Sequence, residues 1–157
     1  MISLALLHVS SREHCFDMPS MQQTLTVQFE NGITLLGYDL RAPAVQPGAG
    51  ITATLYWQAQ QAITASYKVS VQMLSDSLQI AAQDDSIPVH WTRPTTSWLP
   101  GEIITDEHVL GIGPGARAET CTLIVALYDD QSIQRLWTER EGKRQDHVIL
   151  TTLSVAP

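Results

Sequence analysis

Residues 25–38 read LTVQFENGITLLGY, and the expected fold class follows from this stretch. Apolar and polar residues alternate over residues 25–29, which is the period of a strand with one buried face. Asn31-Gly32 follows, and both residue types accept the positive φ angles that a tight hairpin turn requires. A second apolar run begins at Ile33. The stretch therefore predicts an antiparallel β-hairpin.

The same alternation recurs along the rest of the chain. It is clearest over residues 51–58 (ITATLYWQ) and 67–73 (YKVSVQM), where every second residue is apolar. Residues 121–128 are apolar on both faces, so we expect this strand at the centre of its sheet. Further strands are predicted at residues 79–83, 103–110, 133–137 and 147–155.

The number and spacing of these segments predict an all-β domain. Eight or nine short strands separated by turn signals are typical of a two-sheet antiparallel β-sandwich, immunoglobulin-like or jelly-roll. We expect the sandwich to cover residues 22–157, with residues 1–21 as an N-terminal flank or extra edge strand. The best helical candidate, residues 59–65, is short and lacks a sustained i, i+3, i+4 apolar stripe.

Turn signals separate the predicted strands. Each of three Pro-Gly pairs predicts a type II turn, because proline presets the first central φ and glycine accepts a positive φ at the second. These pairs are Pro47-Gly48, Pro100-Gly101 and Pro114-Gly115. The acidic pairs Asp84-Asp85 and Asp129-Asp130 are interpreted as turn residues, since an Asp side chain bonds its own backbone. Calcium binding by these hard oxygen ligands is the alternative.

Composition excludes several classes of protein. Of 157 residues, 44% are hydrophobic and only 16% are charged, so a disordered chain is not expected. The net charge of −7 argues against binding to nucleic-acid phosphates. The apolar run at residues 2–7 is too short to span a membrane and lacks the basic flank of a signal peptide. We therefore expect a soluble single domain that does not insert into a membrane.

The residues that commonly carry chemistry are scattered. Cys15 and Cys121 lack zinc-site spacing, and two buried inert thiols are favoured over one disulfide. The five histidines also lack metal-binding spacing, so neither a metal nor a cofactor is expected. Asp106 and His108 project to the same face of a predicted strand. A hydrogen bond from His108 to Asp106 or Glu102 is favoured over catalysis, because no activated nucleophile accompanies the pair.

Four motifs occur in order along the chain: FENGITLLGYDL (29–40), VQPG with TLYWQA (45–59), TSWLPGE (96–102) with Asp106 and His108, and LIVALYD (123–129). Together they resemble a bacterial β-sandwich domain at the C-terminal end of multi-pass membrane glycosyltransferases and of large uncharacterised envelope proteins.

The resemblance spans residues 22–155 and implies an extracytoplasmic, non-catalytic sandwich. The resemblance assigns no catalytic residue to this chain. This chain departs from the family in two ways. No membrane-spanning region is evident in it, so we expect no direct glycosyltransferase role. Cys121 stands where the family tends to have tyrosine.

Two tryptophans in the proline-rich segment 86–101 are candidates for ligand binding. Trp91 and Trp98 can offer indole rings to the CH face of a sugar, while His90 and Arg93 can hydrogen-bond its hydroxyls. Trp91 is the better candidate. For Trp98, the favoured interpretation is that the ring pins the loop over the end of the sandwich.

These observations predict a non-catalytic β-sandwich module of the cell envelope that mediates interaction or spacing within a larger protein or complex. Its partner is expected to be a protein or a glycan. The alternative is a carbohydrate-binding module that uses Trp91 and Trp98. An enzyme is not expected, because the sequence shows no convergent polar cluster. The sequence leaves the oligomeric state open.

Overall fold

The computed structural model describes residues 14–157. Within this range, ten strands form two antiparallel sheets, in the orders β6-β3-β2-β1-β8-β9 and β10-β7-β4-β5. This confirms the predicted all-β, two-sheet antiparallel sandwich. The strands are β1 (Gln23–Phe29), β2 (Ile33–Arg41), β3 (Gly50–Ala59), β4 (Tyr67–Ser75), β5 (Ile80–Ser86), β6 (Ile103–Gly111), β7 (Thr120–Asp129), β8 (Thr138–Arg140), β9 (Lys143–Gln145) and β10 (Val148–Ser154).

The core lies between the two sheets and follows directly from the alternation. One face of each central strand is fully or almost fully buried, and these faces pack together as one apolar cluster. Strand β7 lies between β10 and β4, as its two apolar faces predict. The inward residues of β3 and β4 are Ile51, Ala53, Leu55, Trp57, Tyr67, Val69, Val71 and Met73.

The predicted hairpin forms between β1 and β2. Phe29 pairs with Ile33, so a three-residue 3₁₀ turn, Glu30–Gly32, joins the strands. Asn31 and Gly32 have φ values of 65° and 80°, which confirms the prediction of positive φ at both positions. Farther along β2, Gly37 lies so close to β1 that a Cβ atom there would collide with the Gln23 carbonyl oxygen.

Two of the three Pro-Gly pairs have the predicted backbone conformation. Gly48 and Gly101 have φ values of 84° and 82°, as a type II turn requires. The prediction of a type II turn at Pro114-Gly115 is wrong. The Ala116 N–H donates to the Gly113 carbonyl oxygen, which closes a turn, but the φ of Gly115 is not positive. A type I turn accommodates that backbone.

The strand predicted at residues 133–137 is wrong. Only Arg135 forms a bridge there, to Tyr128, and Ile133 has a φ of 63° that interrupts extended backbone. The short hairpin β8–β9 follows instead. Residues 59–65 are not helical, because the end of β3 and an irregular loop occupy them. A second short 3₁₀ turn covers Thr95–Ser97.

The N-terminal flank predicted over residues 1–21 lies mostly outside the described residues. Within the described part, Cys15 forms a single bridge to Ile103 at the edge of β6. Both cysteines are free; Cys121 is buried and Cys15 is exposed, so the prediction of two buried thiols is wrong for Cys15. Among residues 14–157, no helix is long and apolar enough to cross a membrane.

Candidate functional site

A strained turn at Pro88–Trp91 carries the most exposed aromatic ring among the predicted site residues. Val89, His90 and Trp91 have φ values of 58°, 50° and 70°, so three consecutive non-glycine residues adopt the left-handed region. Such a conformation costs roughly 1–2 kcal/mol per residue. Trp91 is 59% exposed at the end of this turn. Strain of this kind concentrates at functional positions, so the turn is a candidate site.

Hydrogen bonds on both sides hold this turn in place. The Trp91 N–H donates to the Ile87 carbonyl oxygen over 2.9 Å, and the Arg93 N–H donates to the Pro88 carbonyl oxygen over 3.0 Å. The Val89 N–H donates to Oδ1 of Asp106 over 2.7 Å. Because Asp106 is fully buried on β6, the turn is tied to the core through a charge-assisted bond.

Asp106 also begins a chain of buried polar contacts. Its Oδ2 atom accepts a hydrogen bond from the Trp57 indole N–H over 3.2 Å and lies 2.6 Å from Nε2 of His108. The other ring nitrogen, Nδ1, lies 2.7 Å from Oδ2 of Asp84. His108 is fully buried, whereas about a third of the Asp84 side chain is exposed. The chain therefore crosses from β6 in one sheet to β5 in the other.

This environment favours a protonated ring at His108. Burial alone would lower the pKa of His108, but hydrogen bonds and charges of Asp106 and then Asp84 outweigh burial and raise the pKa. Both ring nitrogens are committed to carboxylates, so neither is free to accept a proton from a substrate. The predicted hydrogen bond between Asp106 and His108 is confirmed. Asp84, the second carboxylate that contacts His108, lies on β5 and not in the predicted turn.

A second buried cluster contains two of the predicted ligand-binding residues. Trp98 is 3% exposed, and its indole N–H donates to the Arg93 carbonyl oxygen over 3.2 Å. Arg93 Nη2 donates to Oε1 of Glu102 over 2.8 Å, and both side chains are buried. Burial alone would raise the pKa of Glu102. Hydrogen bonds from Arg93, the Leu99 N–H and His14 outweigh it and lower that pKa.

The structure therefore divides the four predicted ligand-binding residues into two pairs. Trp91 and His90 share the exposed turn, and His90 Nε2 lies 3.5 Å from Oε1 of Glu107. Trp98 and Arg93 lie beneath the surface, where their polar groups are already bonded within the protein. A stacking role for Trp98 and a hydroxyl-binding role for Arg93 are incompatible with this burial, and Trp98 pins the loop instead.

A shallow groove of about 280 Å³ lies on the outer face of the four-stranded sheet. The outward-facing positions of β4, β5 and β7 form its floor, and the segment after β7 forms one rim. The Lys68 ammonium lies 5.0 Å from the centroid of the Trp91 ring, so this residue links the strained turn to the groove. The groove is lined by Lys68, Ser70, Gln72, Asp85, Tyr128, Ile133 and Arg135.

Asp85 is the polar centre of this groove. Its carboxylate accepts hydrogen bonds from the Ser70 hydroxyl over 2.8 Å, from Gln83 Nε2 over 2.9 Å and from the Tyr128 hydroxyl over 3.1 Å. Burial and then the nearby charge and hydrogen bond of Asp85 raise the pKa of Tyr128 to about 12. The tyrosine hydroxyl therefore stays protonated in the physiological range. Asp85, like Asp84, was predicted in a turn and lies on β5.

Sequence reasoning missed this groove. The available signal is the alternation itself, because Lys68, Ser70 and Gln72 are the polar positions between the core residues of β4. The turn interpretation holds for Asp129, whose Oδ1 atom accepts the N–H groups of Gln131 and Ser132. Among residues 14–157, no group of three or more His, Cys, Asp or Glu side chains is placed to hold a metal ion.

No protein-family model matches this chain, and no curated protein sequence matches it.

Proposed function

We propose that this chain is a non-catalytic binding module of the cell envelope, which mediates interaction within a larger protein or complex. One observation carries the proposal: an exposed tryptophan, Trp91, is presented on a strained turn that the core holds in place. An apolar ring that is merely tolerated at a surface does not need three consecutive residues in an unfavourable conformation.

The state of the buried polar groups supports a non-catalytic role. Asp106, His108 and Glu102 are fully buried, and the hydrogen bonds of each join distant parts of the chain. None of these residues lines the groove on the outer face of the four-stranded sheet. The extracytoplasmic location and the partner, a protein or a glycan, are supported by the family resemblance of the four sequence motifs.

A carbohydrate-binding module is the second candidate, and the exposure of Trp91 favours it. Trp98, which the sequence paired with Trp91 for this role, cannot contribute its ring from the core. If glycan binding occurs, it must use Trp91 together with other surface residues.

Sedimentation with cell envelopes tests the module proposal. We expect the purified chain to co-sediment with a washed envelope fraction of the source cells and to release no soluble product from it. The variant Trp91→Ala should lose most of this association. Trp137→Ala should keep it, because Trp137 is also partly exposed and also lies beneath a cation, Arg144, but it is located next to β8 of the six-stranded sheet. Absence of the wild-type chain from the pellet, or turnover of envelope material, would overturn the proposal.

A further inference from the structure

We propose that the groove on the outer face of the four-stranded sheet binds a short neutral oligosaccharide, with Trp91 as the stacking ring at its rim. This inference rests on the proposed function as a binding module and supplies the ligand class and the site. The sequence predicts that Trp91 and Trp98 bind a sugar together. In the proposed site, Trp91 acts instead with side chains on β4, β5 and β7.

The Trp91 indole is accessible to a ligand although Lys68 lies over it. The Lys68 ammonium lies over the ring at 5.0 Å, yet the residue remains 59% exposed. More than half of the Trp91 surface is therefore accessible to a ligand. The Lys68 cation orients the ring through a cation–π contact, and an exposed indole can stack on the CH face of a pyranose.

The floor of the groove provides polar groups of the kind that recognise hydroxyls. Gln72 lines the groove and offers an amide donor and acceptor, and Gln83, directly opposite it on β5, donates to Asp85. Asp85 and the Tyr128 hydroxyl are held together by their mutual hydrogen bond, so both enter binding preorganised. Gln72 is half-buried and lines the groove, so we expect its amide to contact a ligand there.

The charge arrangement favours a neutral ligand. Lys68 Nζ lies 3.3 Å from Asp130, and Arg135 lies 3.6 Å from Asp146, so an acidic partner already accompanies each cation that lines the groove. A phosphate or uronic acid would have to compete with these carboxylates and with Asp85. Sugar hydroxyls can accept from the cations and donate to the carboxylates without displacing either.

The position of the groove disfavours an extended peptide. A peptide that adds to a sheet needs unpaired backbone groups at a strand edge. The groove instead lies over the face of β5, β4 and β7, whose facing backbone groups are paired with one another. From β5 across β4 and β7 to Arg135, the face covers three strand spacings, roughly 14 Å at about 4.8 Å each. This width suits a short oligosaccharide better than a single sugar.

Binding to defined oligosaccharides tests this proposal. The full chain is titrated with cellohexaose, xylohexaose, mannohexaose, maltohexaose and N-acetylchitohexaose, with isothermal calorimetry as the readout. We expect submillimolar affinity for at least one of them. Trp91→Ala should weaken that affinity at least about tenfold, as loss of a stacked ring implies. Gln72→Ala should weaken it about threefold, a smaller loss because one neutral hydrogen bond is removed.

Trp137→Ala is the matched control and should bind within about twofold of wild type, since Trp137 lies beside β1 and β8 of the six-stranded sheet and does not line the groove. Circular dichroism confirms that each variant is folded. Failure of all five hexasaccharides to bind, an unchanged affinity in Trp91→Ala, or loss of binding in Trp137→Ala would each overturn the site. Envelope association that persists without oligosaccharide binding would refute the ligand class while leaving the module proposal intact.

Discussion

Replacing His108 with glutamine tests how the two sheets are tied together at one edge of the sandwich. His108 on β6 contacts Asp106 in its own sheet and Asp84 on β5 of the other sheet, at 2.6 and 2.7 Å. A protonated ring donates to both carboxylates. A neutral ring has one N–H, so its other nitrogen would point a lone pair at a carboxylate oxygen at the same short distance. The link therefore depends on the proton.

The sign of the pH dependence follows from the direction of the shift. The pKa of His108 is raised in the folded protein because the two carboxylates outweigh the effect of burial. The stabilisation that the protonated His108 ring contributes is complete below the unfolded-state pKa of histidine, about 6.5. It is lost as pH rises through the higher folded-state pKa of His108. Between these two values, the free energy of unfolding should fall by about 1.4 kcal/mol per pH unit.

Urea denaturation between about pH 6 and pH 9 measures this effect. Wild type should lose stability over the window above about pH 6.5. His108→Gln should be less stable than wild type by about 3–5 kcal/mol at about pH 6, the cost of breaking a buried pair, and should lack the slope. His147→Gln, whose ring contacts Asp146 near the surface, should keep the slope. Wild-type stability that is flat or rising across this window would refute the reasoning, as would an unchanged slope in His108→Gln.

Three further predictions concern other contacts. Gly37→Ala should reduce the free energy of unfolding by more than about 2 kcal/mol in urea titrations. The new Cβ would collide with the Gln23 carbonyl oxygen, a backbone atom that can move only if strand β1 shifts. Trp98→Ala should cost about 3–5 kcal/mol, whereas exposed Trp91→Ala should change stability by less than about 1 kcal/mol; equal losses would contradict their assigned burial. In wild type, the lowered pKa of Glu102 means that its carboxylate stabilises the fold above the unfolded-state pKa, and this contribution disappears as pH falls through the folded-state pKa. Glu102→Gln should therefore lose less of its free energy of unfolding on acidification than wild type does.

The strands that the sequence predicts correctly are those in which local pattern and tertiary burial agree. In β3 and β4, every apolar position of the alternation faces the core, so the pattern alone identifies both the strand and its buried face. Residues 133–137 (IQRLW) do not alternate in this way, and the Asp129 side chain turns the chain immediately before them. Local side-chain hydrogen bonds there prevent a full strand from forming.

The candidate site was harder to predict because its residues depend on contacts between distant segments. Asp84 and Asp85 are poor strand formers, and only their partners on other strands, His108 and Ser70, explain why they occupy β5. The same applies to the two loop tryptophans. Trp91 and Trp98 have similar local surroundings in sequence, and the buried Arg93–Glu102 pair distinguishes them.

The left-handed turn shows how these distant contacts bear on the proposed function. Three residues in that conformation cost roughly 3–6 kcal/mol in total at about 1–2 kcal/mol each. A hydrogen bond to a charged group contributes about 1.5–3 kcal/mol, so the Val89–Asp106 bond offsets a substantial part of this cost. Asp106 can serve this role only while it is held in the core by His108 and Trp57. The buried polar chain therefore stabilises the surface position of Trp91, which explains why a sandwich with an ample apolar core retains fully buried charged groups.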